Sequence, residues 1–112
     1  MATKRGVRAR RTGGADAIPF LAKIVGGPLT FARMMRSLRE CEEWTQKEMA
    51  RRLGVTTAHV CDIELGRKAV SPARAGKFAK RLGYSERQFV RLALQDLLHR
   101  EGVHMKVTVE AA

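Results

Sequence analysis

The sequence predicts an all-α domain that follows a basic N-terminal arm and precedes a C-terminal β-strand. Two observations carry this prediction: apolar residues recur at helical spacing in five consecutive stretches, and the last stretch of the chain alternates with a period of two. A chain of 112 residues can form one compact core of modest size. We therefore divide it into a flexible basic arm with a short apolar segment (1–28), a helical domain (29–101) and a terminal strand (102–112).

The first helix is predicted from Phe31 onward. Phe31, Met34, Met35 and Leu38 follow the i, i+3, i+4, i+7 spacing of one helical face, and the helix should end near Glu43.

The second and third helices are predicted from their caps. Thr45 and Glu48 have the spacing of a capping box, and Gly54 should end the second helix after its inner residues Met49, Ala50 and Leu53. Thr56 should cap the third helix, whose residues Val60 and Ile63 point inward and which ends by Gly66.

Two further helices complete the domain. Ser71 followed by Pro72 predicts the start of the fourth helix, and Gly76 within it suggests close packing of its backbone. Ser85 and Gln88 predict another capping box at the start of the fifth helix. The fifth helix should have a broad apolar stripe formed by Phe89, Val90, Ala93, Leu94, Leu97 and Leu98.

The final run VHMKVTVE is predicted to be a strand, because Val103, Met105, Val107 and Val109 alternate with polar residues. The chain offers no second strand to pair with it. Its partner is therefore expected from a second copy of the chain or from a different protein. A frayed tail is the alternative.

The charge of the chain is strongly positive and uneven. Twenty-two Lys and Arg against eleven Asp and Glu give a net charge of +11. Residues 1–14 hold five of the cations and no acid, which suggests a polyanionic partner; a solubilising arm is the alternative. The apolar segment 18–25 should pack on the domain or bind a partner.

Several classes of protein are disfavoured. Cys41 and Cys61 form no C-x-x-C pair and no Cys/His tetrad, so we expect free thiols, a reducing cytoplasm and no metal. No apolar stretch is long enough to span a membrane, and residues 18–25 are too short and too interrupted by Lys23 for a secretory signal. With no nucleophile or paired carboxylate in a recognisable arrangement, we expect neither enzymatic activity nor a cofactor.

The second and third helices, joined by a tight turn at Gly54, form a helix-turn-helix unit. The run TQKEMARRLGVTTAHVCDIELGRK, residues 45–68, resembles the Cro/C1-type (XRE) helix-turn-helix family, and the five predicted helices match that family from about residue 29 to 98. The resemblance implies that the third helix enters the major groove of double-stranded DNA. It also implies a structural pair between Arg39 and Glu64.

The resemblance also implies which residues contact DNA. Gln46 would hold a phosphate, Arg67 and Lys68 would meet the backbone of the other strand, and the third helix would face the bases. The expected DNA-binding residues are Gln46, Thr56, Thr57, Ala58, His59, Cys61, Asp62, Arg67 and Lys68.

Asp62 is the unusual member of this set, because an acid is repelled by DNA. A carboxylate can accept a hydrogen bond from cytosine N4, while Thr57 and Ala58 can touch a thymine methyl. The alternative is that Asp62 only balances local charge or orients a neighbouring arginine. His59 is expected at the surface or at a phosphate.

These features favour a sequence-specific transcriptional repressor that binds its operator as a homodimer in the bacterial cytoplasm. Small proteins of this family are often antitoxins of type II toxin-antitoxin pairs that repress their own operon, and segments 18–25 and 103–110 could bind a small toxin. The alternative is a stand-alone phage-type or restriction-controller regulator. RNA binding is disfavoured by the scarcity of aromatic residues outside core positions.

Overall fold

The structure, a computed structural model, describes residues 29–112, and this part of the chain is helical. Its five helices are α1 (Phe31–Cys41), α2 (Gln46–Leu53), α3 (Thr57–Glu64), α4 (Pro72–Leu82) and α5 (Glu86–Arg100). The predicted all-α class and the order of the five helices are confirmed. The predicted basic arm and the apolar segment 18–25 lie outside the described residues.

Each helix begins at a hydroxyl side chain that accepts a hydrogen bond from the backbone N–H three residues further on. The capping residues are Thr30, Thr45, Thr56, Ser71 and Ser85. At α2 the predicted capping box is complete: Glu48 N donates to Thr45 Oγ1 over 3.0 Å, and Thr45 N donates to Glu48 Oε1 over 3.1 Å. These bonds satisfy backbone N–H groups that have no partner within the first helical turn. The starts of the helices are therefore determined by residues close together in the sequence.

The helices end where the backbone turns left-handed. Gly54 at φ 74° ends α2 and Gly83 at φ 80° ends α4. The first helix stops at Cys41, two residues before the predicted Glu43, because Glu43 itself adopts φ 62° and reverses the chain toward α2. A non-glycine residue rarely adopts this conformation, so the sequence did not signal the stop.

All five helices contribute side chains to the core. Phe31 of α1 and Phe89 of α5 meet edge to face with ring centroids 5.7 Å apart. Glycine at position 76 brings the backbone of α4 close to α5, because a Cβ there would lie 3.1 Å from a Glu86 carboxylate oxygen. The predicted inner residues of α1 to α4 are buried: Phe31, Met34, Met35, Leu38, Met49, Ala50, Leu53, Val60, Ile63, Ala75, Phe78, Ala79 and Leu82.

The broad stripe of α5 is only partly covered. Phe89 and Ala93 are buried as predicted, and Leu92, which lay outside the predicted stripe, is buried with them. Leu97 is 46% exposed, and the other predicted members, Val90, Leu94 and Leu98, are half-buried. One face of α5 packs on α4 and α1, so the stripe is wider than the core it serves.

The prediction of a C-terminal strand is wrong. Residues 103–112 form no strand, and they run back along α5 toward its N-terminus, where Val109 lies near Val90. Gln95 of α5 holds this segment: its Nε2 donates to Met105 O over 2.8 Å, and its Oε1 accepts from Val107 N over 2.9 Å. One side-chain amide thus satisfies two backbone groups that a neighbouring strand would otherwise satisfy.

The period-two alternation reflects burial in this segment without producing a strand. Val103, Val107 and Val109 are half-buried, while Met105 is 69% exposed. Three of the four apolar side chains in the alternating pattern are therefore partly buried against the rest of the described residues.

Candidate DNA-binding surface

The third helix is anchored by two apolar side chains and presents its other face to solvent. Val60 and Ile63 are each 1% exposed, whereas Thr57 and Ala58 are exposed and Cys61 is half-buried. Val60 and Ile63 lie three residues apart, so one face of α3 is held in the core and the opposite face is left available.

An ion pair locks the end of α3 to α1. Arg39 Nε donates to Glu64 Oε2 over 2.6 Å, and Arg39 Nη2 donates to Glu64 Oε1 over 3.1 Å, which confirms the predicted pair. Arg39 Nη1 also donates to Trp44 O over 3.0 Å. The bond to Glu64 raises the pKa of Arg39. Bidentate pairs of this kind fix orientation as well as distance, so the pair sets the angle of α3 against the domain.

Gln46 is part of the same network. Its Nε2 donates to Glu64 Oε1 over 3.0 Å, so this side chain at the start of α2 is oriented by a residue of α3. An amide nitrogen carries two protons, and one remains for another acceptor. The geometry is compatible with a phosphate contact, which stays a prediction.

The N-terminus of α3 combines capping with exposure. Thr56 is exposed, and its Oγ1 accepts from His59 N over 3.1 Å, so its hydroxyl proton can still be donated. Thr57 and Ala58 follow in the first turn of α3, and both are exposed. A methyl and a hydroxyl are therefore available where a base edge would approach.

Asp62 is tied to the segment after the helix. Its Oδ1 lies 3.5 Å from Arg67 Nη1, and its carbonyl oxygen accepts from Arg67 N over 2.8 Å and from Lys68 N over 3.3 Å. The side chains of Asp62 and Arg67 are 31% and 69% exposed, so the ion pair is weak and exchangeable. Arg67 and Lys68 therefore lie beside the end of α3, and their contact with the DNA backbone stays a prediction.

His59 lies on the flank of α3, half-buried. Burial lowers its pKa, and the charges of Arg74 and Lys68 lower it further, against an opposing effect of Asp62. These effects favour the neutral imidazole, in which one nitrogen can donate a hydrogen bond.

Two residues near this surface were missed by sequence reasoning. The charge of Arg74 in α4 lowers the pKa of His59 in α3, an effect that arises only once the helices have folded together. Leu65, 55% exposed, continues the helical face of Ala58, Cys61 and Asp62. Leu65 lies three residues after Asp62, and this spacing could have predicted that the two side chains share one helical face.

The described residues thus form a helix-turn-helix unit whose second helix is anchored inward, exposed outward and bordered by cations. This fold and this surface are characteristic of helix-turn-helix DNA-binding proteins. A sequence profile described as "Helix-turn-helix" matches residues 35–89, from α1 into α5. The chain belongs to the XRE-type helix-turn-helix family, whose members are DNA-binding transcriptional regulators.

One solved structure is similar to the described fold. It is the crystal structure of the hypothetical transcription factor NHTF from Neisseria, 30% identical in sequence, with a TM-score of 0.48 over 63% of this chain and 79% of that chain. No curated protein sequence gives a significant match.

Among the described residues, no helix is long and apolar enough to cross a membrane.

Proposed function

We propose that this DNA-binding regulator is a repressor that recognises a specific double-stranded operator as a homodimer. The outer face of α3 carries the proposal: Thr57 and Ala58 are exposed while Val60 and Ile63 are buried. Phosphate contacts would position the protein, and the exposed face would discriminate between bases. No enzymatic step is part of this proposal.

Asp62 is proposed as a base-reading residue. In the free protein its carboxylate is paired with Arg67, as the alternative interpretation expected. The two roles are compatible, because Arg67 can exchange this weak pair for a phosphate and release the carboxylate toward cytosine N4.

The proposed homodimer uses the part of α5 at Leu97, a side chain that is 46% exposed. A second copy that covers Leu97 would place two copies of α3 in successive major grooves, about 34 Å apart.

Leu97→Asp tests this dimer. Light scattering of the variant should show a monomer, and its duplex affinity should fall because each half-site is then bound alone. Leu65→Asp, which introduces the same charge on the exposed end of α3, should remain a dimer. A dimeric Leu97→Asp variant would contradict the proposed interface.

Specific duplex binding is tested with Asp62→Ala. Affinity should be measured for a duplex of the protein's own upstream region, for a scrambled duplex and for a folded RNA of equal charge, at one salt concentration. Wild-type protein should prefer the first. Asp62→Ala should reduce the preference between the two duplexes, because one bidentate or equivalent base contact contributes about 1–3 kcal/mol of discrimination.

Glu40→Ala is the matched control, because it removes one exposed carboxylate of α1 that, among the described residues, forms an ion pair with the exposed Arg36. It should leave the preference unchanged. Equal loss of preference in both variants would show that the effect is one of net charge, and stronger binding to the RNA would contradict the proposed function.

We further propose that the protein is the antitoxin of a type II toxin-antitoxin pair. Two large apolar side chains, Leu97 of α5 and Met105 in the segment after it, are exposed, and this exposure supports a protein partner. Co-expression with a small open reading frame next to the gene should yield a copurifying complex. A stand-alone regulator would copurify with no product of a neighbouring frame.

A further inference from the structure

Three cations of α4 form a second positive surface beside the helix-turn-helix unit. Arg74, Lys77 and Arg81 are all exposed, and their spacing of three and four residues places them on one face of the helix. We call this face the α4 basic strip. It lines a concave pocket of about 210 Å³, whose floor includes Phe78 and Val55.

The strip is not neutralised by the part of the chain that the structure describes. No acidic residue lines the pocket, and none of the three cations forms an ion pair there. The neighbouring Lys80 differs, because its Nζ lies 3.7 Å from Glu86 Oε2. Three positive charges facing one concavity repel each other, and an anion between them would relieve that repulsion.

Two of the cations are held in place by the fold. Arg81 Nη1 donates to Leu53 O over 3.3 Å at the end of α2. The Arg74 guanidinium lies 5.8 Å from the centre of the Phe78 ring. A cation held in one position loses less conformational entropy when it binds an anion, so these side chains are suited to a fixed ligand.

The strip is continuous with the DNA-facing surface. At one end, the charge of Arg74 acts on His59 of α3 and lowers the pKa of its imidazole. At the other end, Arg81 lies against Gly54 in the turn between α2 and α3. Seven residues of helix cover about 10 Å, which is roughly the axial length of three phosphates along one DNA strand.

We propose that the α4 basic strip binds backbone phosphates of the DNA duplex along the flank of α3, in addition to the contacts of Arg67 and Lys68. The inference rests on the proposed duplex binding and deepens it by naming a further contact surface. Its ligand is the phosphodiester group. It contributes affinity and orientation without reading sequence, because every base pair presents the same backbone.

The double variant Arg74→Gln/Lys77→Gln tests the proposal. Arg81 is kept, because it also bonds to the backbone of α2. Duplex affinity is measured by fluorescence anisotropy from low to high salt in full-length protein. The slope of log affinity against log salt should become shallower by about 2, since each phosphate contact contributes about 0.9. Affinity should fall by the same factor on the protein's own upstream duplex and on a scrambled duplex.

Lys80→Gln/Arg87→Gln is the matched control. It removes two exposed cations from α4 and α5 outside the strip, so the net charge changes equally. Its salt slope should stay within error of wild type. Thermal unfolding followed by circular dichroism checks that each variant folds, and the single variant Lys77→Gln, with an expected slope change of about 1, serves if the double variant is unstable.

Three results would overturn the inference. If the double variant keeps the wild-type slope while Asp62→Ala still loses preference, the strip does not contact the duplex and the proposed function stands. If the control changes the slope as much as the double variant, only net charge matters. If inorganic phosphate shifts the Arg74 side-chain NMR signals but the duplex slope is unchanged, the strip binds a free anion. Absence of duplex binding by wild-type protein would instead refute the proposed function.

Discussion

Glu64 connects more parts of the domain than any other charged residue described above. Its carboxylate accepts from Arg39 of α1 and from Gln46 of α2, while its own backbone ends α3. Its side chain is 4% exposed and that of Arg39 is 15% exposed. A nearly buried charge pair depends on both partners, because either one alone would be left desolvated.

Glu64→Ala should therefore lower the free energy of unfolding by about 3 kcal/mol, the scale for breaking a buried pair. Urea denaturation of the two proteins measures the difference. The control is Glu40→Ala, whose pair with Arg36 is exposed at the surface and should cost less than about 0.5 kcal/mol. Equal losses in the two variants would show that Glu64 contributes no more than an ordinary surface acid.

Asp96 is expected to make the stability of the domain depend on pH. Its Oδ2 accepts from Phe31 N over 3.1 Å, which links α5 to the start of α1. Burial raises the pKa of Asp96, although the bond to Phe31 and the charges of Arg100 and His99 act in the opposite direction. A raised pKa in the folded state means that folding favours the protonated carboxyl.

Asp96→Asn should consequently be more stable than wild type at pH 7, since the amide oxygen can still accept from Phe31 N without carrying charge. The protonated wild-type carboxyl is favoured below the unfolded-state pKa, and this advantage is lost as pH rises through the higher folded-state pKa. The stability difference should therefore shrink as pH falls from 7 to about 3, below the reference pKa of Asp. Chemical denaturation at several pH values tests this, and a difference independent of pH would contradict it.

At the scale of elements, the turn between α2 and α3 requires glycine at position 54 for two separate reasons. Gly54 has φ 74°, and a Cβ there would lie 2.5 Å from Arg81 Nη1. The first requirement is a local conformation that glycine adopts readily. The second is close approach of a side chain from α4, which the sequence around Gly54 does not reveal.

Gly54→Ala should destabilise the protein by about 1 kcal/mol for the conformation and by a further ~1 kcal/mol for the displaced Arg81 bond to Leu53 O. Gly102→Ala is the matched control, because Gly102 has the same φ of 74° and no atom within 4 Å of an added Cβ. Only the conformational cost should appear there. If thermal or urea unfolding gives equal losses for both variants, Arg81 does not constrain the turn.

On the scale of the whole molecule, positive charge is expected to govern how the protein approaches DNA. The N-terminal residues 1–14 add five cations to those of the helix-turn-helix unit and the α4 basic strip. By analogy with homeodomain arms, we expect this arm to lie in a minor groove. Its role is separable by experiment from that of the domain.

Deletion of residues 1–14 should weaken duplex binding and make its salt dependence shallower, because fewer phosphate contacts release fewer counterions. Replacing the five cations by glutamine in a chain of full length should have the same effect, which separates charge from chain length. Fluorescence anisotropy across a range of salt concentrations provides the comparison. An unchanged slope in both proteins would exclude the arm from the complex.

Sequence reasoning predicted the parts of this molecule that depend on near neighbours in the chain. Thr45 and Glu48 are three residues apart, so their capping box forms wherever α2 forms. The fifth helix shows the limit: its stripe was predicted, but Leu92 is buried and Leu97 exposed because the positions of α1 and α4 decide which side is covered. Likewise, the spacing of Val60 and Ile63 predicted which face of α3 is available, while the bond from Gln46 to Glu64 was not anticipated.

By itself, the sequence determined the helical class, the caps, the helix-turn-helix unit and the family, because hydrophobic period and capping chemistry act over three to seven residues. The tertiary structure decided that segment 103–110 lies along α5, bound to Gln95, and that the charge of Arg74 acts on His59. Those outcomes depend on groups distant in sequence competing for the same backbone donors and the same space. Such competition is resolved only when the helices pack.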